Sequence, residues 1–371
     1  MKSENQEFLT TQIITYIGNK RLLIRNIEHE VELIKKELNI SKLVTADIFS
    51  GSGIVARMLK QHSKKIIVND LEEYSKVINS CYLSNKDEYP KEACDYYRNK
   101  IELQCRKHKI EGIISKNYAP LDDNNIKPDE RVFYTRENAL LIDTYRLLID
   151  DIVSEEGLKK YFLAPLITEA SIHVNTSGVF KGFYKDKNTG IGCFGGTGQN
   201  ALSRIFGKVE LKEPVFSNYK AETEIYNLDA VELASKIKNL DIVYLDPPYN
   251  QHPYGSNYFM LNLILKNKLE VKTSKVSGIT QDWNRSVFNK QRSALLSMEE
   301  IMKNIDAKYI IISYNSEGFI SFKEMNEMLN RYGKLKIVEI KYNTFRGSRN
   351  LTNRSIHVSE YLFILKKRDW C

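Results

Sequence analysis

A doubly wound α/β sheet interrupted by a large insertion is what this sequence predicts, and three features carry the prediction. Short apolar runs alternate with helical patterns, polar residues gather where those runs end, and a two-glycine turn joins the first run to the helix behind it. About 150 residues separate the second run from the third, far beyond an ordinary crossover, so that stretch must hold structure of its own.

Taken in order, Leu23, Ile27, Val31, Ile34 and Leu38 recur at helical spacing and give a helix with one face to bury. A strand is expected over residues 43–49, then the turn Ser50-Gly51-Ser52-Gly53, then a helix from Ile54. Residues 65–68 read as a second strand ending at Asn69-Asp70. Residues 223–226 read as a third, ending at Asn227-Leu228-Asp229 ahead of a helical pattern over 230–238. The fourth, Ile242-Val243-Tyr244-Leu245, stops at Asp246-Pro247-Pro248-Tyr249, because two prolines cannot continue a sheet. A fifth strand over 309–313 ends at Tyr314-Asn315, and residues 336–342 and 358–365 form a closing hairpin. The expected domains are therefore 1–81 with 221–371 as one sheet domain and 82–220 as an inserted, mostly helical subdomain.

Composition narrows the class of protein. Lys plus Arg exceed Asp plus Glu by 55 − 47 = 8, which is compatible with a polyanionic partner without requiring one. Five cysteines without metal-type spacing (Cys81, Cys94, Cys105, Cys193, Cys371) fit a reducing cytosol, and singly scattered histidines suggest no metal site. The first residues lack an apolar signal region, and no apolar run is long enough to span a bilayer, so a cytoplasmic protein without membrane contact is expected.

Asp246-Pro247-Pro248-Tyr249 holds a carboxylate, a proline carbonyl and an aromatic face at one strand end. That set suits a planar base with an exocyclic amine: the oxygens accept from the amine while the ring stacks on tyrosine. The amine's lone pair is delocalised into its ring, so hydrogen bonds that favour a pyramidal nitrogen lower the barrier to methylating it. Alone, the same four residues equally read as an ordinary strand stop. The Phe49-x-Gly51-x-Gly53 turn lacks the third glycine of a dinucleotide fingerprint and the Lys-Ser/Thr of a phosphate loop. With Asp70 placed to take ribose hydroxyls, it fits S-adenosyl-L-methionine, which has no phosphate, better than NAD(P). Asp70 and Asp229 also read as helix caps or surface acids.

These pieces together resemble the Dam-like N6-adenine DNA methyltransferases in order across nearly the whole chain. Tyr16-x-Gly18-x-Lys20 is similar to the family's amino-terminal cofactor motif, Asp47-x-Phe49-x-Gly51-x-Gly53 to its glycine loop, and Asp246-Pro-Pro-Tyr249 to its catalytic tetrad. Ser313-Tyr314-Asn315 and Lys341–Gly347 look like its later strand-end and hairpin motifs. The resemblance implies a Rossmann-like sheet that uses S-adenosyl-L-methionine, with an inserted target-recognition subdomain. It implies that Lys20 and Asp47 hold the methionine moiety beside Tyr16 and Phe49, that Gly51 and Gly53 form the loop, and that Asp70 takes the ribose and Asp229 the adenine. Asp246, Pro247 and Tyr249 would receive an adenine flipped out of duplex DNA. A paired restriction endonuclease acting separately, a prokaryotic or phage origin and sufficiency as a monomer are its further implications.

For the DNA contact, eight of the 18 glycines lie between Gly178 and Gly207, among Lys181, Lys185, Gln199, Asn200 and Arg204. Lysine and arginine suit phosphates, and Gln and Asn suit base edges; the other reading is a charged surface loop. Tyr258, in a segment that reads either as a loop closing over the flipped nucleotide or as a solvated loop, and Arg346, at a hairpin tip that either grips phosphates or only blunts a sheet edge, complete the candidates. Rival readings are an RNA or protein amide methyltransferase, which more often has Asn at the head of the tetrad, and a catalytically silent DNA-binding module.

Overall fold

The computed structural model describes residues 3–368 apart from 12, 197, 200 and 344–356, with the backbone alone at 342, 343, 357 and 358. The chain forms two compact units. The first comprises Met1–Asn19, Glu72–Asn218 and Tyr254–Asn284; the second comprises Lys20–Leu71, Tyr219–Pro253 and Arg285–Cys371.

The second unit is a seven-stranded sheet in the order β3-β2-β1-β4-β5-β7-β6. Its strands are β1 Leu43–Asp47, β2 Ser63–Asn69, β3 Glu222–Tyr226, β4 Leu240–Leu245, β5 Ala307–Asn315, β6 Gly333–Asn343 and β7 His357–Lys367. β1 to β5 run parallel, and β7 enters antiparallel between β5 and β6. All seven expected strands are present, with no end moved by more than three residues. The central strand β4 is buried along its whole length, which explains its unbroken apolar sequence. Alternate residues, Val243 and Leu245, Ile310 and Ile312, Phe363 and Leu365, pack on one face with Leu233, Met298, Ile301 and Leu329 of the covering helices. The helix Ile54–His62 packs on β1 and β2, and the helix Ile24–Leu38 packs on it.

Where the parallel strands end, Asn69 ties three of them together. Its buried amide donates to the carbonyls of Ile48 and Leu228, both at 3.1 Å, and its oxygen accepts from the Leu228 N–H at 2.9 Å. Asn227 adds a bond from its amide to the Asp70 carbonyl at 2.7 Å.

The first unit is built from helices; among its described residues the only β pairings are the isolated bridges Lys185–Gly192 and Thr273–Thr280. It extends beyond the expected 82–220 insertion on both sides. Helix Glu73–Tyr82 belongs to it because Tyr74, Ile78, Cys81 and Tyr82 are buried, and that helix packs on Lys160–Ile172. Helix Phe259–Lys266 packs on Glu73–Tyr82, Arg136–Ile152 and Lys160–Ile172, with Phe259, Met260, Leu261, Leu263 and Ile264 buried. Arg146 closes the carboxyl end of that helix, donating to the carbonyls of Ile264 and Leu265 at 2.8–3.2 Å. Among the described residues no helix is long and apolar enough to cross a membrane.

Replacing Asn69 by alanine leaves the Leu228 N–H and two carbonyls without partners in the interior. The expected cost is about 2–3 kcal/mol, read as a lower urea midpoint at unchanged slope; a midpoint within error of the parent protein would refute the strand-tying role.

Candidate active site

Because β1 to β5 are parallel, their carboxyl ends share one edge of the sheet, and β7, running the other way, begins there. Glu360 of β7 pairs in register with Asn315, the last residue of β5. Lys20, Asp47, Phe49, Gly51, Gly53, Asp70, Asp246 and the tetrad that Asp246 heads all belong to this unit.

The glycine turn is held by the end of β2. Gly51, at φ 49°, donates its N–H to Asp70 Oδ2 at 2.7 Å. Gly53, at φ 76°, donates to the Ser50 carbonyl at 2.7 Å and caps the helix Ile54–His62. Both angles fall in the left-handed region that glycine adopts without strain. Ser50 donates its N–H and hydroxyl to the Asn69 carbonyl at 3.0 and 3.1 Å. Phe49 meets Phe288 edge-on, 5.3 Å between centroids.

Lys20 links the amino-terminal motif to the tetrad. Its ammonium, 4% exposed, lies 3.0 Å from Asp246 Oδ1 and 2.8 Å from Glu360 Oε1, which takes two of its three N–H donors. Glu360 is buried and also accepts from the Ser313 hydroxyl at 2.6 Å and the Asn315 amide at 3.3 Å. Burial opposes the charge on Lys20, but the carboxylates of Asp246 and Glu360 outweigh it and hold the ammonium well above the usual lysine value. Asp246 is pushed up to about 7, first by burial, with Lys20 pulling it down and Glu360 pushing it up. Asp47 is raised well above the usual carboxylate range by burial and then by the charges of Asp246 and Asp70, against hydrogen bonds from the backbone of Phe49 and Ala56. Its Oδ1 is buried with no hydrogen-bond partner among the described residues.

After Asp246, Pro247 is buried and Tyr249 half-buried. The Tyr249 carbonyl accepts from the Phe319 N–H at 3.1 Å, and the Asn250 carbonyl accepts from the Asn289 amide at 2.8 Å. Asp229 caps the helix Ala230–Lys236, accepting from the Val231 N–H at 2.9 Å. Glu360 and Asn69 were missed in the sequence. The signal for Glu360 is an acid at the head of an otherwise apolar strand; for Asn69, it is an amide just before Asp70.

The remaining candidates lie in the first unit or outside the described residues. Tyr16 stacks on Tyr254 and Tyr258 at 4.9 and 4.8 Å, and its hydroxyl meets that of Tyr74 at 3.2 Å. Tyr258 is fully buried and accepts at its hydroxyl from the Ile17 N–H at 2.7 Å, so it packs the interior of this unit. The segment before it forms the helical turn Tyr254–Asn257, with Gly255, Ser256 and Asn257 buried, instead of an open closing loop. The Arg204 guanidinium donates to the carbonyls of Ile172, Val174 and Thr176, and burial lowers it from the usual arginine value. Those bonds staple the chain leading out of helix Lys160–Ile172 and leave the side chain poorly disposed to a phosphate.

Lys181 is half-buried; Lys185 is exposed and sits over the Phe183 ring, 5.2 Å from its centroid. Gln199 is exposed. Asn200 and Arg346 lie outside the described residues. The glycine-rich stretch is organised by buried Asn175, whose amide donates to the carbonyls of Val132 and Cys193 at 2.7 and 2.9 Å and whose oxygen accepts from Gly195 at 3.0 Å.

Residues 16–328 match the family described as D12 class N6 adenine-specific DNA methyltransferase. The chain is 30% identical over 363 residues to the type II methyltransferase M.NlaIII of Neisseria lactamica, covering 95% of this chain and 99% of that one. It is 31% identical to the type II methyltransferase M.CviAII of Paramecium bursaria Chlorella virus 1, covering 95% and 98%. It is 29% identical to the modification methylase StsI of Streptococcus sanguinis, covering 96% of this chain and 52% of that one.

The crowding of Asp47 predicts a trade between stability and ligand binding. A carboxyl raised in the folded state loses stability as pH climbs from its unfolded value toward its folded one. Asp47→Asn removes that loss, so the ligand-free variant should melt above the parent, with a larger margin at pH 8 than at pH 5. Equal margins at the two pH values, read by thermal melts, would refute the crowding.

Proposed function

Because the chain belongs to the D12 class of N6 adenine-specific DNA methyltransferases, we propose that the strand-end edge of its sheet is where an adenine, flipped out of duplex DNA, is methylated on N6. The observation that carries this reading is the Lys20–Asp246 pair at the head of the tetrad, 3.0 Å apart, with Asp246 still 22% exposed. Asp246 and the Pro247 carbonyl accept from the N6 amine and draw its lone pair out of conjugation, while Tyr249 stacks on the base. As the new N–C bond forms, the methyl–sulfur bond would break and S-adenosylhomocysteine leave as a neutral thioether; the amine becomes cationic and then gives its proton to Asp246 or to water. Asp246 accepts from the amine while ionised, so kcat/KM should rise as pH passes about 7.

S-adenosyl-L-methionine supplies, when bound, a methyl group on a positively charged sulfur. The residues present suit it. Asp47, Asp70, Asp246 and Glu360 against the Lys20 ammonium make the edge acidic, which favours a cation, and the partnerless Asp47 oxygen is an acceptor in want of a donor. Asp47 and the remaining Lys20 donor would hold the methionine part, Gly51 and Gly53 would allow close approach beside Phe49, and Asp70 would take the ribose. Asp229, whose side chain caps a helix, would reach the adenine ring with what that cap leaves.

The first unit is read as the DNA-recognition part, with Lys181, Lys185 and Gln199 on the contacting stretch. The type II names of the relatives support a role as the modification enzyme of a restriction-modification system, its endonuclease acting separately. A monomer suffices, since one flipped base needs one site, and the expected setting is the cytoplasm.

Transfer of tritiated methyl from S-adenosyl-L-methionine to unmodified duplex DNA should yield labelled N6-methyldeoxyadenosine. Label appearing in RNA or protein instead would overturn the substrate. Asp246→Ala should abolish transfer while keeping DNA binding within a few-fold, and retained turnover would sink the assigned role. Replacing Lys181 and Lys185 together by alanine should weaken DNA binding and flatten its dependence on log salt by about 1–2; an unchanged slope would move the contact elsewhere.

A further inference from the structure

We infer that Glu360, on β7, is a positioning residue for methyl transfer: it shares the Lys20 ammonium with Asp246 and so leaves Asp246 with acceptor capacity for the substrate amine. This rests on the reading of Asp246 as the acceptor of that amine.

The geometry is that of a shared cation. Glu360 Oε1 is 2.8 Å from Lys20 Nζ, slightly closer than Asp246 Oδ1 at 3.0 Å. Glu360 is 1% exposed and is itself oriented from β5, by the Ser313 hydroxyl at 2.6 Å on the same oxygen and by the Asn315 amide at 3.3 Å on the other. A strand-register pairing with Asn315 fixes its backbone there. Glu360 cannot reach solvent, so its place is relative to Lys20. Were Glu360 absent, every N–H of a buried lysine would turn toward Asp246 or go unmet, and the pair would be neutral. With Glu360, two carboxylates face one ammonium, and once Asp246 is ionised these three groups together carry a net negative charge. That charge favours an amine that becomes cationic as it accepts a methyl group.

The groups facing Asp246 are the Lys20 ammonium ahead of helix Ile24–Leu38, Glu360 from β7, the Tyr244 phenol from its own strand and Asp47 from β1. Burial raises Asp246 most, Lys20 lowers it, and Glu360 raises it again. Neutralising Glu360 therefore has a definite sign: Asp246 gives up its proton more readily. The opposite sign belongs to Ser313→Ala, which strips a hydrogen bond from Glu360 without touching its charge and throws that carboxylate back on Lys20, drawing the ammonium from Asp246.

The test is kcat/KM against pH for the full chain, with S-adenosyl-L-methionine and unmodified genomic DNA. It compares the parent, Glu360→Gln, Ser313→Ala and Asp246→Asn, and folding is checked by thermal melts. Glu360→Gln should move the acid limb to lower pH by on the order of one unit and lower the plateau kcat on the order of tenfold. Binding of S-adenosylhomocysteine should stay within a few-fold. Ser313→Ala should move the limb up. A fall in kcat with the limb unmoved makes Glu360 a packing residue and overturns the inference. If Glu360→Gln does not fold, an unmoved or lowered limb in Ser313→Ala overturns it equally. Asp246→Asn should show no measurable transfer; should it turn over with the parental limb, the limb is not that of Asp246, and the reading beneath fails with the inference.

Discussion

The Lys20 ammonium is the interaction on which the strand-end edge depends. Without it, Asp246 and Glu360 would be two carboxylates sharing one poorly hydrated site, and neither could remain charged there at modest cost. With it, the segment leading into helix Ile24–Leu38, the end of β4 and the start of β7 are held at one point. The antiparallel entry of β7 is what makes this possible. A parallel strand in that place would bring its carboxyl end to the edge, and residues near its start, such as Glu360, would lie at the opposite side of the sheet.

A second device sets the other half of the edge. Asn69 joins the ends of β1, β2 and β3, and the following Asp70 receives the N–H of Gly51. The glycine turn and the acid, motifs separated by 19 residues, are thus one hydrogen-bonded unit. The edge this produces is acidic and partly unsatisfied, as Asp47 records in its raised carboxyl and lone oxygen. Such a site is a standing cost to the folded chain.

The first unit shows a different economy of polar groups. Arg204 and Asn175 sit in or beside irregular chain, and each spends donors on backbone carbonyls. The chain leaving helix Lys160–Ile172 runs irregularly, so side chains must satisfy carbonyls that no helix or strand pairs. The Arg204 guanidinium is such a staple on the carbonyls of Ile172, Val174 and Thr176, whereas Lys185, exposed, holds its ammonium over the Phe183 ring.

What the sequence determined by itself follows from short-range rules. Unbroken apolar runs such as residues 242–245 read as buried strands, Pro247-Pro248 marked a stop, and the glycines at 51 and 53 marked a left-handed turn, so the order of strands and the identity of Asp47, Asp70 and Asp246 were legible. Tertiary structure alone decided which polar residues face one another. Nothing local to residue 360 says that it meets residue 20, since that contact exists only once β7 is seated against β5. Nor does spacing reveal that Phe259–Lys266 is core to the helical unit, carrying Tyr258 inward with it. Local periodicity reports what a segment will bury; only the assembled sheet and helices determine against which partner, because those partners lie hundreds of residues apart in the chain.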